Sequence, residues 1–154
     1  MLKGKRAIIT GGTRGIGFAT VKKFLENGAN VALLGSREET VEKALEILKK
    51  EFDSSRFIGL YPDLNSKSEI ATAFETIKNT FGSIDILVNN AGISATSKLY
   101  DYAEQDFAKI MALNVNAVFN CSKAAAIYMK NQGGGVILNT SSMVSIYGQP
   151  AGVG

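Results

Sequence analysis

Short apolar runs alternate with longer amphipathic stretches along the whole chain. The apolar runs have the length and composition of strands buried in a parallel sheet. Five of them are predicted as strands, at residues 7–10, 31–34, 57–61, 84–88 and 136–139. The stretches between them carry apolar residues at helical spacing, which is typical of crossover helices. The alternation predicts an α/β fold, a doubly wound parallel sheet with helices on both faces.

Two of the predicted helices share a pattern at their start and along their inner face. Ser36 with Glu39, and Ser66 with Glu69, have the spacing of capping boxes. Apolar residues then recur at helical intervals, beginning at Val41 in the first helix and at Ile70 in the second. We therefore expect amphipathic helices that start at these two serines.

A third helical pattern is longer, from about residue 103 to residue 129. Asn114 interrupts its apolar positions, and a polar residue of this kind often bends a helix or bonds outward. Cys121 lies in the same pattern and is expected to be a buried thiol. Six side chains are predicted to face inward, namely Phe107, Ile110, Met111, Val115, Val118 and Phe119.

Composition narrows the functional classes. The 154 residues, 45% hydrophobic and 20% charged, suit one globular domain over residues 1–154. Histidine is absent, which excludes histidine-based catalysis and histidine-ligated metals, so no metal is expected. The net charge of +3 and the lack of a basic stripe argue against nucleic acid. No apolar run approaches the roughly 20 residues of a membrane span, so we expect a cytoplasmic protein without a membrane partner.

The first strand leads into the segment ITGGTRGIG, which carries glycines at positions 11, 15 and 17. Glycine permits a sharp turn and a close approach of backbone N–H groups to a phosphate. The helix that follows adds the positive end of its dipole. The segment therefore predicts a pyrophosphate-binding turn, and the alternative is a tight turn that binds nothing.

Polar residues follow other strands at the same predicted edge of the sheet. The fourth strand ends in Asn89-Asn90-Ala91-Gly92, and the fifth is followed by Thr140, Ser141 and Ser142. Ligands of doubly wound sheets bind at the carboxyl ends of the strands. These residues, with Asn114, are candidates for one site, although each could also be a polar group satisfied by its own surroundings.

Together the motifs TGGTRGIG, NNAG, LNV and the strand ending in Ser-Ser resemble the short-chain dehydrogenase/reductase family, over essentially the whole chain. The resemblance implies a dinucleotide-binding Rossmann domain with strand order 3-2-1-4-5. It also implies an oxidoreductase that moves a hydride between a nicotinamide and a ketone or alcohol. The family pattern would place the pyrophosphate on Gly11, Thr13, Gly15, Ile16 and Gly17.

The same resemblance assigns the remaining site residues. Asp63 and Leu64 match the position that contacts adenine, and Asn90, Ala91 and Gly92 would line the cofactor. Ser142 matches the catalytic serine that hydrogen-bonds the substrate oxygen. Asn114 matches the asparagine that supports a water molecule in the proton relay.

The end of the second strand bears on the choice between NADP and NAD. An acid there binds the ribose 2′-hydroxyl, whereas an arginine accepts a 2′-phosphate. The strand continues into Gly35, Ser36 and Arg37 without an acid, and Arg14 lies in the glycine turn. Guanidinium groups bind phosphate in a fork, which favours NADP, while NAD stays possible.

The family also uses a tyrosine acid followed four residues later by a lysine, since a nearby cation is needed to lower a tyrosine pKa from about 10. None of the five tyrosines has a lysine at that spacing. We therefore expect the chain to be the N-terminal part of a longer enzyme. A polypeptide that ended at Gly154 would then be inactive and poorly soluble.

General similarity favours a 3-oxoacyl reductase acting on an acyl thioester. A hydroxysteroid dehydrogenase, or a sugar or polyol dehydrogenase, is the alternative. A non-catalytic nucleotide-binding module is the competing class, and it predicts cofactor affinity without turnover. As in the family that the chain resembles, the full-length protein is expected to form a homodimer or homotetramer.

Overall fold

A computed structural model of the protein describes residues 1–95 and 98–147. Five parallel strands form one sheet in the order β3-β2-β1-β4-β5, which confirms the predicted order. The strands are β1 (Arg6–Thr10), β2 (Asn30–Leu34), β3 (Phe57–Leu60), β4 (Ile86–Asn89) and β5 (Val136–Asn139). Their register brings the carboxyl ends of all five strands to one edge.

Helices connect the strands and cover both faces of the sheet. They are α1 (Gly15–Glu26), α2 (Glu38–Leu48), α3 (Lys67–Phe81), α4 (Glu104–Met111), α5 (Val118–Asn131) and the short α6 (Val144–Tyr147). A π-helical segment, Ala112–Ala117, joins α4 to α5. Two 3₁₀ turns, Ser54–Arg56 and Leu99–Asp101, precede β3 and α4.

Successive side chains of each strand point to opposite faces, so the core has two layers. Ala7 and Ile9 of β1 pack with residues of α1 and α2. Ile8, between them, packs on the other face with residues of α3 and α5. The fully buried Phe74 of α3 is the largest side chain of that second layer. The near-continuous apolar runs of β1, β2 and β4 are therefore explained by burial on both faces, whereas Val136 and Leu138 of the edge strand β5 are about half exposed.

The helix starts differ from the predicted capping boxes. The structure begins α2 at Glu38, with Arg37 as the N-cap and no side-chain cap, so the predicted box of Ser36 and Glu39 is wrong. Ser36 belongs to the turn after β2, where its side chain is exposed. The second box is half formed. The Glu69 N–H donates to the Ser66 hydroxyl at 3.3 Å, but the Glu69 carboxylate accepts from the Asp63 N–H and not from the Ser66 N–H.

The long helical stretch also corrects a sequence expectation. Of its six predicted inward residues only Ile110 is buried, and Val118 is partly buried. Phe107, Met111, Val115 and Phe119 are exposed by 38–64%. The periodicity identified an apolar face, but these four side chains stay exposed among the described residues. The residues that cover the sheet lie further along α5, at Cys121, Ala125 and Met129.

By length and composition alone, the helical stretch Glu104–Asn131 could cross a membrane, with a mean hydropathy of 1.2. The sequence expectation missed it because charged residues interrupt its apolar positions. The stretch packs Cys121, Ala125 and Met129 of α5 into the second core layer, and 22% of its apolar window is buried. Within this stretch, the contacts with the core are made by α5.

Burial raises the pKa of the Cys121 thiol from 9.0 to about 11. The folded protein should therefore hold roughly one-hundredth of the thiolate that a fully exposed thiol holds at mildly alkaline pH.

We expect a thiol-alkylating reagent to label Cys121 slowly in the native protein and rapidly in denaturant. Because the folded state disfavours the thiolate, stability should be constant below the unfolded pKa and should fall as the pH rises toward 11. Equal labelling rates in the two states would contradict this burial.

Candidate active site

A cavity of about 710 Å³ lies at the carboxyl edge of the sheet. It extends from the turn after β1 across the ends of β2 and β3 on one side and of β4 on the other. Twelve of the residues predicted to bind the cofactor line it: Gly11, Thr13, Arg14, Gly15, Ile16, Gly17, Ser36, Asp63, Leu64, Asn90, Ala91 and Gly92. The structure thus brings together in one cavity residues that are up to 81 positions apart in the chain.

The glycine turn forms one wall of the cavity and is packed against the end of β4. Gly11 has a φ of +65°, a left-handed conformation that favours glycine. A Cβ atom at Gly17 would collide with the Gly11 carbonyl oxygen and with the Asn90 amide. Glycine is therefore required at position 17 for close packing, whereas the space beside Gly15 is open.

The start of α1 at Gly15 faces this cavity without a capping side chain. Arg14 is the N-cap and its side chain caps no N–H group, and the first turn contains no acidic residue. The first N–H groups of a helix lack partners within the helix and carry partial positive charge. An anion such as a phosphate is the ligand that this end of α1 suits.

Thr10 connects the glycine turn to the NNAG segment. Its buried hydroxyl oxygen accepts hydrogen bonds from the N–H groups of Asn90 and Ala91, both at 3.0 Å. The Asn90 amide in turn donates to the Thr10 carbonyl at 3.2 Å. These three bonds fix the ends of β1 and β4 relative to each other. Sequence analysis assigned Thr10 only to a strand, although a hydroxyl that ends an apolar strand was a usable signal.

Asn89 belongs to the sheet and not to the cavity wall. It is buried, and its amide donates to the Asn139 side-chain oxygen at 2.9 Å and to the Ser122 hydroxyl at 3.0 Å. The amide thereby ties β4 to β5 and to α5. The two adjacent asparagines therefore make different contacts, and both are satisfied as buried polar groups require.

Asn114 lies in the π-helical segment, where the predicted interruption of the helix is confirmed. Its side-chain oxygen accepts from the Ile93 N–H at 2.9 Å, and its amide donates to the Ile93 carbonyl at 2.8 Å. The side chain pairs with the backbone as a neighbouring strand would. It therefore fixes the loop after Gly92 against the helix, and Leu113 beside it lines the cavity.

The far end of the cavity is formed by the turn after β3. The Asp63 N–H donates to the Glu69 carboxylate at 2.9 Å, and the Asp63 carboxylate accepts from the Asn65 N–H at 2.9 Å. Both acids are thus held by the turn and by the start of α3. Asp63 and Leu64, which the family pattern assigns to adenine contact, line this end of the cavity.

The end of β2 presents Ser36 to the cavity and carries no acid there. Arg14 is the cationic side chain among the described residues that line the cavity, and it is exposed. Arg37, the other predicted phosphate ligand, is also exposed but lies outside the lining.

Ser142 lies beyond β5 at the same edge, outside the cavity lining, where its hydroxyl oxygen accepts from the Val144 N–H at 3.4 Å. Asn114 also stands just outside, behind Ile93. Tyr147 is the tyrosine that follows Ser142 in the sequence, and it is 77% exposed. The described part of the chain thus forms a cavity with the volume of a small-molecule site, and the candidate catalytic serine lies after the neighbouring strand, outside the lining.

Eight lining residues were not selected from the sequence. They are Leu34, Gly35, Tyr61, Pro62, Asn65, Glu69, Ile93 and Leu113. Most are immediate sequence neighbours of the predicted residues. Extending each motif along its loop would therefore have found them. Glu69 and Leu113 come from helices, and only the packing of α3 and of the π-helical segment places them here.

The residues present fit a dinucleotide. The glycine turn is a cradle that a Cβ atom at position 17 would fill, the start of α1 suits an anion, and the volume is of the size of small-molecule sites. Among the described residues, no group of three or more cysteine, aspartate or glutamate side chains could hold a metal.

Replacement of Gly17 tests the cradle. Gly17→Ala should push the Gly11 carbonyl and the Asn90 amide out of place, at a cost of about 1–3 kcal/mol. We expect NADPH affinity, measured by fluorescence titration, to fall about tenfold or more. Gly82→Ala is the control: unlike Gly17, Gly82 has a positive φ, of 87°, so its replacement strains the backbone, but it has open space around it and lies outside the cavity. Its affinity should be unchanged, and equal losses in both variants would argue against the cradle.

Comparison with known proteins gives close relatives of the same kind. The chain is 61% identical over 154 residues to a 3alpha-hydroxysteroid dehydrogenase of Mediterraneibacter gnavus, covering 100% of the chain and 62% of the relative. It is 34% identical to a 3-oxoacyl-acyl-carrier-protein reductase of Chlamydia muridarum, covering 97% of the chain and 60% of the relative. The chain therefore spans about three-fifths of the length of these relatives.

A solved structure shows the same fold. The crystal structure of an NAD⁺-bound xylitol dehydrogenase matches with a TM-score of 0.89 at 33% identity. The match covers 97% of this chain and 57% of that one. A parallel sheet of order 3-2-1-4-5 shared with a dinucleotide-bound enzyme confirms the Rossmann-type fold.

The sequence profile of the short chain dehydrogenase family matches residues 5–154. This range contains the glycine turn, the NNAG segment, Asn114 and Ser142, which are the features that the resemblance rested on. The chain belongs to the short-chain dehydrogenase/reductase family of oxidoreductases.

Proposed function

We propose that the protein is an NADP-dependent hydroxysteroid dehydrogenase. The observation that carries the substrate class is the 61% identity, over every residue of the chain, to the Mediterraneibacter gnavus 3alpha-hydroxysteroid dehydrogenase. The 3-oxoacyl reductase, which general similarity of the sequence favours, has a relative at 34% identity. A hydroxysteroid is therefore the preferred substrate here, and a 3-oxoacyl thioester is the second candidate.

Residues 1–154 would act as the nucleotide-binding domain of this enzyme. The N–H groups at the start of α1, with Gly11, Thr13 and Ile16, would hold the pyrophosphate, and Asp63 and Leu64 would contact the adenine. The uncapped start of α1 and the close contact at Gly17 support this assignment. Asn90, Ala91 and Gly92 would lie along the nicotinamide half of the cavity, which Thr10 fixes in place.

The bound cofactor supplies or accepts the hydride. Ser142 would donate a hydrogen bond to the substrate oxygen, where negative charge develops when a ketone is reduced. Asn114, paired with the backbone of Ile93, would hold the loop after the NNAG segment in place and leave the π-helical carbonyls beside it to bind a water molecule of the relay. A tyrosine acid with its lysine would complete the reaction in the whole protein.

A choice of NADP over NAD is supported by the end of β2. No acid lines the cavity at this point, Ser36 offers a hydroxyl, and Arg14 supplies a guanidinium on the same side. A phosphate accepts hydrogen bonds from both groups, whereas the ribose 2′-hydroxyl of NAD would lack the carboxylate that usually binds it. Arg37, just outside the lining, would add a second positive charge.

The remaining assignments concern the whole protein. We propose a cytoplasmic enzyme that forms a homodimer or homotetramer and needs no membrane or nucleic acid. The exposed apolar side chains of Phe107, Met111, Val115 and Phe119 support association through the long helix. Covering them in an oligomer would remove an aggregation-prone surface.

Introducing an acid at the end of β2 tests the cofactor preference. The wild-type protein should bind NADPH more tightly than NADH in fluorescence titrations. Ser36→Asp should reverse the order, because its carboxylate repels a 2′-phosphate and accepts a hydrogen bond from a 2′-hydroxyl. Ser36→Ala, the control, removes only a hydroxyl and should weaken NADPH by less than about tenfold. Tighter NADH binding by the wild type would overturn the NADP assignment.

Turnover tests the substrate class. The product of the complete coding sequence should oxidise a 3α-hydroxysteroid with NADP, seen as the absorbance of the reduced nicotinamide. It should reduce an acetoacetyl thioester far more slowly, and Ser142→Ala should lower kcat by about two orders of magnitude or more. Cofactor binding without turnover of either substrate would favour the non-catalytic module.

A further inference from the structure

Two loops at the end of the cavity are joined by one side-chain contact. The Tyr61 hydroxyl donates a hydrogen bond to the Glu38 carboxylate at 2.9 Å. Tyr61 directly follows β3, and Glu38 is the first residue of α2. The backbones of the same loops are held by the Gly35 N–H, which donates to the Leu60 carbonyl at 2.9 Å. These two hydrogen bonds hold the tyrosine ring beside the end of β2.

The two partners of this contact lie differently with respect to the cavity. Tyr61 lines it, as do Gly35 and Ser36, whereas Glu38 is not part of the lining. Glu38 follows Ser36 by two positions, a backbone distance of at most about 7 Å. Its flexible side chain can therefore reach the place that Ser36 presents to the cavity if nothing holds it.

A carboxylate at this place would decide between cofactors. It would accept a hydrogen bond from a ribose 2′-hydroxyl and repel a 2′-phosphate, since both are negatively charged. The hydrogen bond to Glu38 and the negative charge of that residue raise the pKa of the Tyr61 phenol above its ordinary value. The phenol consequently stays protonated at neutral pH and remains a hydrogen-bond donor to Glu38.

We propose that Tyr61 is a specificity-determining residue, which holds the Glu38 carboxylate outside the cavity and so permits a 2′-phosphorylated nucleotide to bind. The inference deepens the NADP assignment proposed above and rests on it. Glu38 is then an acid that lies close enough to select NAD but is kept from doing so by its hydrogen bond. Tyr61 acts through Glu38, and its ring need not touch the phosphate.

Tyr61→Phe tests this directly, because it keeps the ring and removes the donor. NADPH affinity, measured by fluorescence titration, should fall about fivefold, the scale of an exposed charge interaction. NADH affinity should stay unchanged or increase. Adenosine 2′,5′-bisphosphate and AMP should show the same difference, which locates the effect at the 2′ position. The loss should shrink at high salt, as expected for repulsion between exposed charges.

Rescue separates this role from a structural one. The double variant Tyr61→Phe with Glu38→Gln should recover the NADPH affinity, because the released side chain no longer carries charge. Tyr100→Phe, at another exposed tyrosine outside the cavity, is the matched control and should bind both cofactors as the wild type does. Thermal unfolding of each variant verifies that the fold is intact.

Two results would overturn the inference. Equal loss of NADPH and NADH in Tyr61→Phe would mean that the phenol serves adenosine binding itself. Failure of Glu38→Gln to restore NADPH affinity would mean that the carboxylate is not the cause. The wild-type preference tests the NADP assignment separately: a protein that prefers NADH, yet still loses NADPH selectively in Tyr61→Phe and regains it in the double variant, would retain the contact and reject the assignment.

Discussion

The junction between the ends of β1 and β4 is the constraint on which the rest of the site depends. A single threonine hydroxyl accepts two backbone N–H groups of the NNAG segment, and the Asn90 amide returns a bond to the carbonyl of Thr10. The Thr10 side chain is buried and Asn90 and Ala91 are partly buried, and an unpaired polar group is costly where water is excluded. The close approach that they enforce brings Gly17 against Gly11, and it thereby sets the position of the start of α1.

From that junction the cavity extends in two directions with different chemistry. Toward β3 it meets the acids and backbone turns that would receive adenosine, and each acid is already engaged by an N–H group. Toward β5 it meets the loop that Asn114 holds and, beyond it, Ser142. A nucleotide lying across the junction would thus have its charged centre at the helix start and its reactive ring near the candidate catalytic serine.

Much of this could be predicted from the sequence, because the signals were local. The alternation of runs predicted the parallel sheet, and the family resemblance implied its strand order. The 12 predicted residues that line the cavity follow the ends of four strands in the sequence. The contacts of Thr10, Tyr61 and Glu38 could not be predicted, since each depends on which loops become neighbours in space. Four of the six predicted inward residues of the long helix, Phe107, Met111, Val115 and Phe119, were wrong for a related reason. Periodicity reveals an apolar face, but it does not reveal what covers that face.

The π-helical segment has a consequence for the geometry of the long helix. A π turn takes up more residues than an α turn, so the downstream half is rotated relative to a continuous α-helix, by about 100° for each extra residue. In a regular α-helix, side chains four apart drift steadily around the axis, as Phe107, Met111, Val115 and Phe119 would. Each residue of a π turn advances by a smaller angle, which counteracts this drift, so we expect the four exposed side chains to lie more nearly in one row. The irregularity that lets Asn114 pair with a loop thus also changes the line along which these exposed apolar side chains lie.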